Sequence, residues 1–88
     1  MKIEVKKLSN NEIKDMNIKS WNIWEKEISR FPWTYHEEEL CYILEGEVIV
    51  ETKLETVRIV AGDFVRFPAN LECVWDIKKK IKKHYKFS

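Results

Sequence analysis

The sequence predicts an all-β fold, a sandwich or closed barrel with one short N-terminal helix. Three observations carry that expectation. From Trp21 onward, apolar and polar residues alternate with the period of two that belongs to strands. Turn-forming residues interrupt the alternation at close intervals, at Gly46, at Ala61-Gly62-Asp63 and at Pro68-Ala69-Asn70. A helix start signal is recognisable only at Ser9.

Ile3 and Val5 alternate with charged residues, as in a short half-buried strand. Ser9 followed by Glu12 has the form of a capping box, in which each side chain satisfies the other residue's backbone N–H. A turn or two of helix then carries Ile13, Met16 and Ile18. Beyond Trp21, Trp24, Lys26 and Ile28 fall on one strand face, with Glu25 and Glu27 on the other. Phe31, Trp33 and Tyr35 alternate through Pro32, which lacks an N–H and so belongs at an edge or a bend.

Residues 40–52 are rich in apolar and β-branched side chains, broken by Gly46. Glycine tolerates positive φ, so Gly46 marks a turn or a bulge between Cys41–Leu44 and Val48–Val50. Thr56–Val60, Phe64–Phe67, Cys73–Ile77 and Ile81–Phe87 complete a set of roughly seven to nine short strands. In the last of these, Ile81, Lys83, Tyr85 and Phe87 share the apolar face, whereas Lys82, His84 and Lys86 are expected to face water.

A chain of 88 residues with 44% hydrophobic content suffices for a single domain over 1–88. Sixteen Lys and Arg against 15 Asp and Glu leave a net charge of +1, so neither nucleic acid nor a membrane surface is called for as partner. No apolar run approaches the ~20 residues of a membrane helix, and Met1–Lys7 lacks signal-peptide character. A cytoplasmic location is expected. There the two cysteines, Cys41 and Cys73, which form no CxxC pair, are free thiols. The basic run Lys78-Lys79-Lys80-Ile81-Lys82-Lys83 reads as a solvated guard on an edge rather than an anion site, because acidic residues elsewhere balance it.

Two motifs in order give the chain a family likeness. Glu39-Leu40-Cys41-Tyr42-Ile43-Leu44-Glu45-Gly46-Glu47 holds a Glu and a Gly separated by six residues, and Gly62 and Pro68 bracket five residues that follow it. Together these resemble the two motifs of the cupin superfamily, over about half the chain. The resemblance implies a double-stranded β-helix, or jelly-roll barrel. It also implies where a metal ion sits in metal-binding members: a His-x-His pair ahead of the Glu, the Glu itself, and a later His. At the corresponding positions this chain has Trp33 and Tyr35 (or Pro32 and Thr34), Glu39, and Cys73 in place of the later His, while Asn70 replaces a Gly. Glu39 alone survives, so the resemblance offers only Glu39 and Cys73 as weak metal candidates. No cofactor is expected and a divalent metal is disfavoured. His36 is adjacent to the motif but lies on the opposite face from Tyr35 if the strand is regular. Trp33, Tyr35, Cys73-x-Trp75 and Lys83-x-Tyr85 look like the small single-domain cupins related to ethanolamine-utilisation proteins, a branch that also resembles ureidoglycine aminohydrolases. Cupins of this size commonly dimerise, so the resemblance implies a homodimer.

Strand alternation proposes a site without the family. Glu39, Cys41 and Ile43 share one face, Cys73, Trp75 and Ile77 another, and Lys83 is stranded among apolar neighbours. A lone inward lysine is costly unless it meets a carboxylate, and Glu39 is the natural partner. The expected chamber holds Glu39, Lys83, Tyr35, Tyr85 and Cys73 between Trp33 and Trp75. The chamber predicts a module binding a small polar molecule without tightly held metal. The alternative is an enzyme acting on a sugar- or ureido-type substrate, metal-independent or weakly metal-dependent, with Glu39, Lys83 and Cys73 as catalytic candidates. Cys73 qualifies as nucleophile only if Lys83 lowers its pKa. Core packing, a structural ion pair and an inert thiol are the bland counterparts of these readings.

Overall fold

Backbone pairing turns the alternating segments into seven strands, every pairing antiparallel. The computed structural model describes residues 1–88. The strands are β1 (Glu4–Lys7), β2 (Asn22–Lys26), β3 (Ser29–Thr34), β4 (Glu39–Glu51), β5 (Thr56–Val60), β6 (Asp63–Phe67) and β7 (Glu72–Phe87), with one α-helix, α1 (Asn10–Asp15). A single 3-10 turn at Ile18–Ser20 joins α1 to β2. The capping box forms as the sequence predicts: the Ser9 hydroxyl accepts from the Glu12 N–H, and the Glu12 carboxylate accepts from the Ser9 N–H.

The two long strands organise everything else. β4 and β7 pair along nearly their full length, from Glu39 opposite Phe87 to Glu51 opposite Val74. On its other side β4 pairs with β6 near its start and with β5 near its end. β7 likewise carries β3 against Glu72–Ile77 and β2 against Ile81–Tyr85. Pro32 sits in β3, which pairs with β7 alone, so it lies on an edge strand, where proline is tolerated.

Gly46 is a bulge, not a turn. β4 runs on through it, with register shifts on both sides. The extra residue switches which parity points inward: Glu39, Cys41 and Ile43 are buried before it, Val48 and Val50 after it. Its φ is +101°, and a Cβ there would run into the Lys80 carbonyl, so no other residue fits. Sequence reading divided β4 and β7 into two strands each. The bulge and the exposed Lys78–Lys80 stretch look like breaks in the alternation, yet the ladders continue through both.

Other expectations need correcting for the same kind of reason. Ile28 is 70% exposed because β2 ends at Lys26 and the alternation ends with it. Val5 is 39% exposed on β1, which pairs only with β6, and the burial falls to Ile3 instead. His84 is 8% exposed rather than water-facing. Its Nδ1 lies 3.0 Å from the Trp21 carbonyl, so the segment entering β2 covers that side of β7. The core gathers Tyr35, Cys41, Ile43, Val48, Val50, Ile59, Val65, Phe67, Trp75, Ile77 and Ile81. Each fully buried apolar side chain contributes about 1.5–3 kcal/mol.

Candidate functional site

The inward face of the β7 half that pairs with β2 carries Lys83, and the start of β4 carries Glu39. Both residues are buried, at 5% and 4% exposure. Lys83 Nζ donates to Glu39 Oε1 and Oε2 at 3.2 and 3.0 Å. Three rings surround the same ammonium, with centroids at 4.7 Å (Trp75), 5.0 Å (Trp24) and 5.8 Å (Tyr85). Their electron-rich faces replace part of the hydration that burial removes, at up to about 2 kcal/mol for a desolvated contact. The carboxylate supplies the rest, since a buried ammonium without a partner is not tolerated.

Above this pair lies a cavity of about 240 Å³, lined by Trp24, Phe31, Trp33, Tyr35, Glu39, Trp75, Lys83, Tyr85 and Phe87. Edge and stacking contacts hold its walls: Trp24 meets Trp75 edge-on at 5.9 Å, Phe31 stacks on Trp75 at 6.3 Å, and Tyr85 meets Phe87 edge-on at 5.7 Å. Tyr35 stacks flat on Phe67, with 4.7 Å between centroids, which fixes the ring from below. Burial, reinforced by the nearby Glu39 charge, holds the Tyr35 phenol well above its ordinary pKa, so it is a neutral hydroxyl across the physiological range. The Trp75 indole N–H is buried with no acceptor in hydrogen-bonding geometry, although it lies close enough to Tyr35 to favour the phenolate.

Six of the residues singled out from sequence therefore line one cavity: Trp33, Tyr35, Glu39, Trp75, Lys83 and Tyr85. Cys73 does not. Its thiol donates toward the Trp33 carbonyl at 3.5 Å, and the residue borders a shallow cleft with Glu51, Thr52, Lys53, Glu72 and Val74 instead. Burial and then the Glu39 charge push this thiol up to about 11, and Lys83 is not among the groups acting on it. The condition for a nucleophilic Cys73 is not met. Cys41 is fully buried and pushed up to about 12. Trp24, Phe31 and Phe87 complete the lining and were not expected there. Each alternates in register with a residue that was: Phe31 with Trp33, Phe87 with Tyr85, while Trp24 lies directly opposite Lys83. His36 is exposed.

The donor set does not fit a transition-metal ion. No three His, Cys, Asp or Glu side chains converge. Both Glu39 oxygens already accept from Lys83, and the Cys73 thiol is protonated at neutral pH. A second cation beside Lys83 would also meet like charge at close range.

Residues 14–85 match the EutQ-like cupin domain. Among solved structures, a DUF861 family protein from Thermotoga maritima is 39% identical, with 99% of this chain and 100% of that one covered and a TM-score of 0.97. A putative ethanolamine utilization protein Q from Salmonella typhimurium is 21% identical, covering 99% of this chain and 69% of its own, with a TM-score of 0.68. An RmlC-like cupin from Shewanella frigidimarina, 15% identical over 75% of this chain and 65% of its own at a TM-score of 0.58, shares the jelly-roll fold. No curated protein matches. The family match covers most of the chain, including both strands that build the site: this protein belongs to the EutQ-like cupin domain family.

Proposed function

We propose that this cupin domain is a binding module that holds a small molecule inside the barrel, above a buried acid–amine pair, without a tightly held metal. One observation carries the reading: a cavity of about 240 Å³ with seven aromatic walls retains a charged pair at its floor. A well-packed apolar floor would be as stable as a buried ion pair, or more so. Keeping the pair next to open volume is therefore better explained by recognition than by stability. The enzyme reading gains less support, because the one nucleophile candidate among its residues, Cys73, is protonated, turned to a backbone carbonyl and outside the cavity.

A thermal-shift screen of small metabolites, followed by calorimetry, tests the proposal. A ligand at about 100 times its Kd adds roughly 2.7 kcal/mol of stability, and Trp33→Ala, which opens the wall at a half-exposed position, should weaken any hit. Hits that Trp33→Ala leaves unchanged would place binding elsewhere. Stoichiometric iron, manganese, nickel or zinc in protein purified without chelator would overturn the metal-free reading.

A further inference from the structure

We propose that the cavity selects an uncharged carbonyl compound with a flat apolar body, a carboxamide being the simplest example, over either a carboxylate or an amine. This rests on the binding reading above and specifies its ligand.

Glu39 and Lys83 are the charged side chains in the lining, and they cancel at 3.0 Å. Their side chains are 5% and 6% exposed, so little water reaches the pair. An anion entering the cavity would find its ammonium already neutralised by a carboxylate. A cation would find its carboxylate already holding an ammonium. Either would bury one uncompensated charge, a penalty that an uncharged ligand avoids.

Hydrogen-bonding capacity then chooses the ligand's polar atom. Lys83 gives N–H groups to the two Glu39 oxygens and retains donor capacity on the cavity side, because its remaining neighbours are ring faces. The indoles of Trp24 and Trp33 are donors only. The Trp75 N–H lies beside Tyr35 with no acceptor in hydrogen-bonding geometry, and the Tyr35 hydroxyl keeps its proton. The unused N–H groups call for an acceptor, and a carbonyl oxygen brings two lone pairs without a charge. A carboxamide's NH2 can in turn meet the lone pairs left on Glu39 and the tyrosine hydroxyls.

Shape supplies the body. Phe31 and Trp75 present nearly parallel rings, 23° apart, and Trp24 and Tyr85 close the sides around Lys83. Flat rings bind well against such walls by offset stacking and edge contacts.

Benzamide, benzoate and benzylammonium share a shape and carry charges of zero, minus one and plus one at pH 7. Isothermal titration of the three tests the inference directly. Benzamide should bind the unmodified protein at least about tenfold more tightly than either ion, a difference of about 1.4 kcal/mol. Changing the cavity's charge should move the preference. Glu39→Gln leaves a net positive site and should turn it toward benzoate; Lys83→Met leaves a net negative one and should turn it toward benzylammonium. Either variant suffices if the other does not fold. An ion that outbinds benzamide in the unmodified protein would overturn this inference and leave the binding reading standing. A preference that stays put in a folded variant would do the same. Silence from all three probes would overturn this inference, and silence from the wider metabolite screen as well would overturn the binding reading.

Discussion

Lys83 is the residue on which the site turns, and its inward position follows from alternation with Ile81 and Tyr85. Parity along a strand names the face a side chain takes. It does not name the depth, or what covers the other side. Hence Lys83 and Glu39 were legible as a pair, whereas Cys73, on the expected face, ends beside the Trp33 backbone rather than in the cavity. His84 was illegible for the second reason, since its cover comes from Trp21, far away in sequence. Removing one partner of the pair should cost far more than removing both. Glu39→Gln is expected to lose about 3–5 kcal/mol in urea unfolding, and Glu39→Leu with Lys83→Met much less. Equal losses from the single and the double change would deny the coupling. The thiols give a second prediction at this scale. Iodoacetamide should label Cys73 slowly at pH 8, with the rate climbing toward a pKa of about 11; labelling at the rate of an unhindered thiol at pH 8 would contradict its placement.

Among the elements, β4 shows how a single glycine places a site. Without the bulge at Gly46, the parity that buries Glu39 would also bury Glu45 and Glu47 and expose Val48 and Val50. The glycine was legible as a turn or bulge. Which of the two it is depends on the β7 ladder, and no local signal reports that. Gly46→Ala combines a positive φ with a Cβ against the Lys80 carbonyl. Strain of this kind alone costs about 1–3 kcal/mol. Chemical denaturation should therefore show a loss of at least about 2 kcal/mol, and a variant as stable as the unmodified chain would refute the close approach. By contrast, Ser9→Ala removes one exposed cap and should cost about 1 kcal/mol.

For the whole molecule, charges on the outside cancel in pairs. Arg30 bridges Glu51 and Asp76, Arg66 bridges Glu4 and Glu38, and the basic run finds Asp76, Glu25 and Glu27. Such exposed pairs are each worth about 0–1 kcal/mol, so moderate salt should change stability little. No helix is long and apolar enough to cross a membrane. Alkali is the more telling stress. The folded chain holds protons on Tyr35, Cys41 and Cys73 that the unfolded chain releases at ordinary pKa values. The two thiols are raised from an ordinary 9.0, so their contribution is intact below that pH and is lost as pH rises through about 11 to 12, while Tyr35, raised from 10.0, acts in the same direction. Above pH 9 the unfolded state binds fewer protons, and stability should fall by up to about 1.4 kcal/mol per pH unit for each such group. Flat stability between pH 8 and 11 would contradict the burial of all three.

Everything at the site depends on one buried ammonium, held by one carboxylate and three rings. Nitrogen-detected NMR of the lysine side chains reads that group directly, with Lys83→Arg to assign it. The prediction is one slowly exchanging ammonium, its protons shifted upfield by the faces of Trp24 and Trp75 and unmoved by added zinc or manganese. A Lys83 signal indistinguishable from the surface lysines, or one displaced stoichiometrically by either metal, would contradict it.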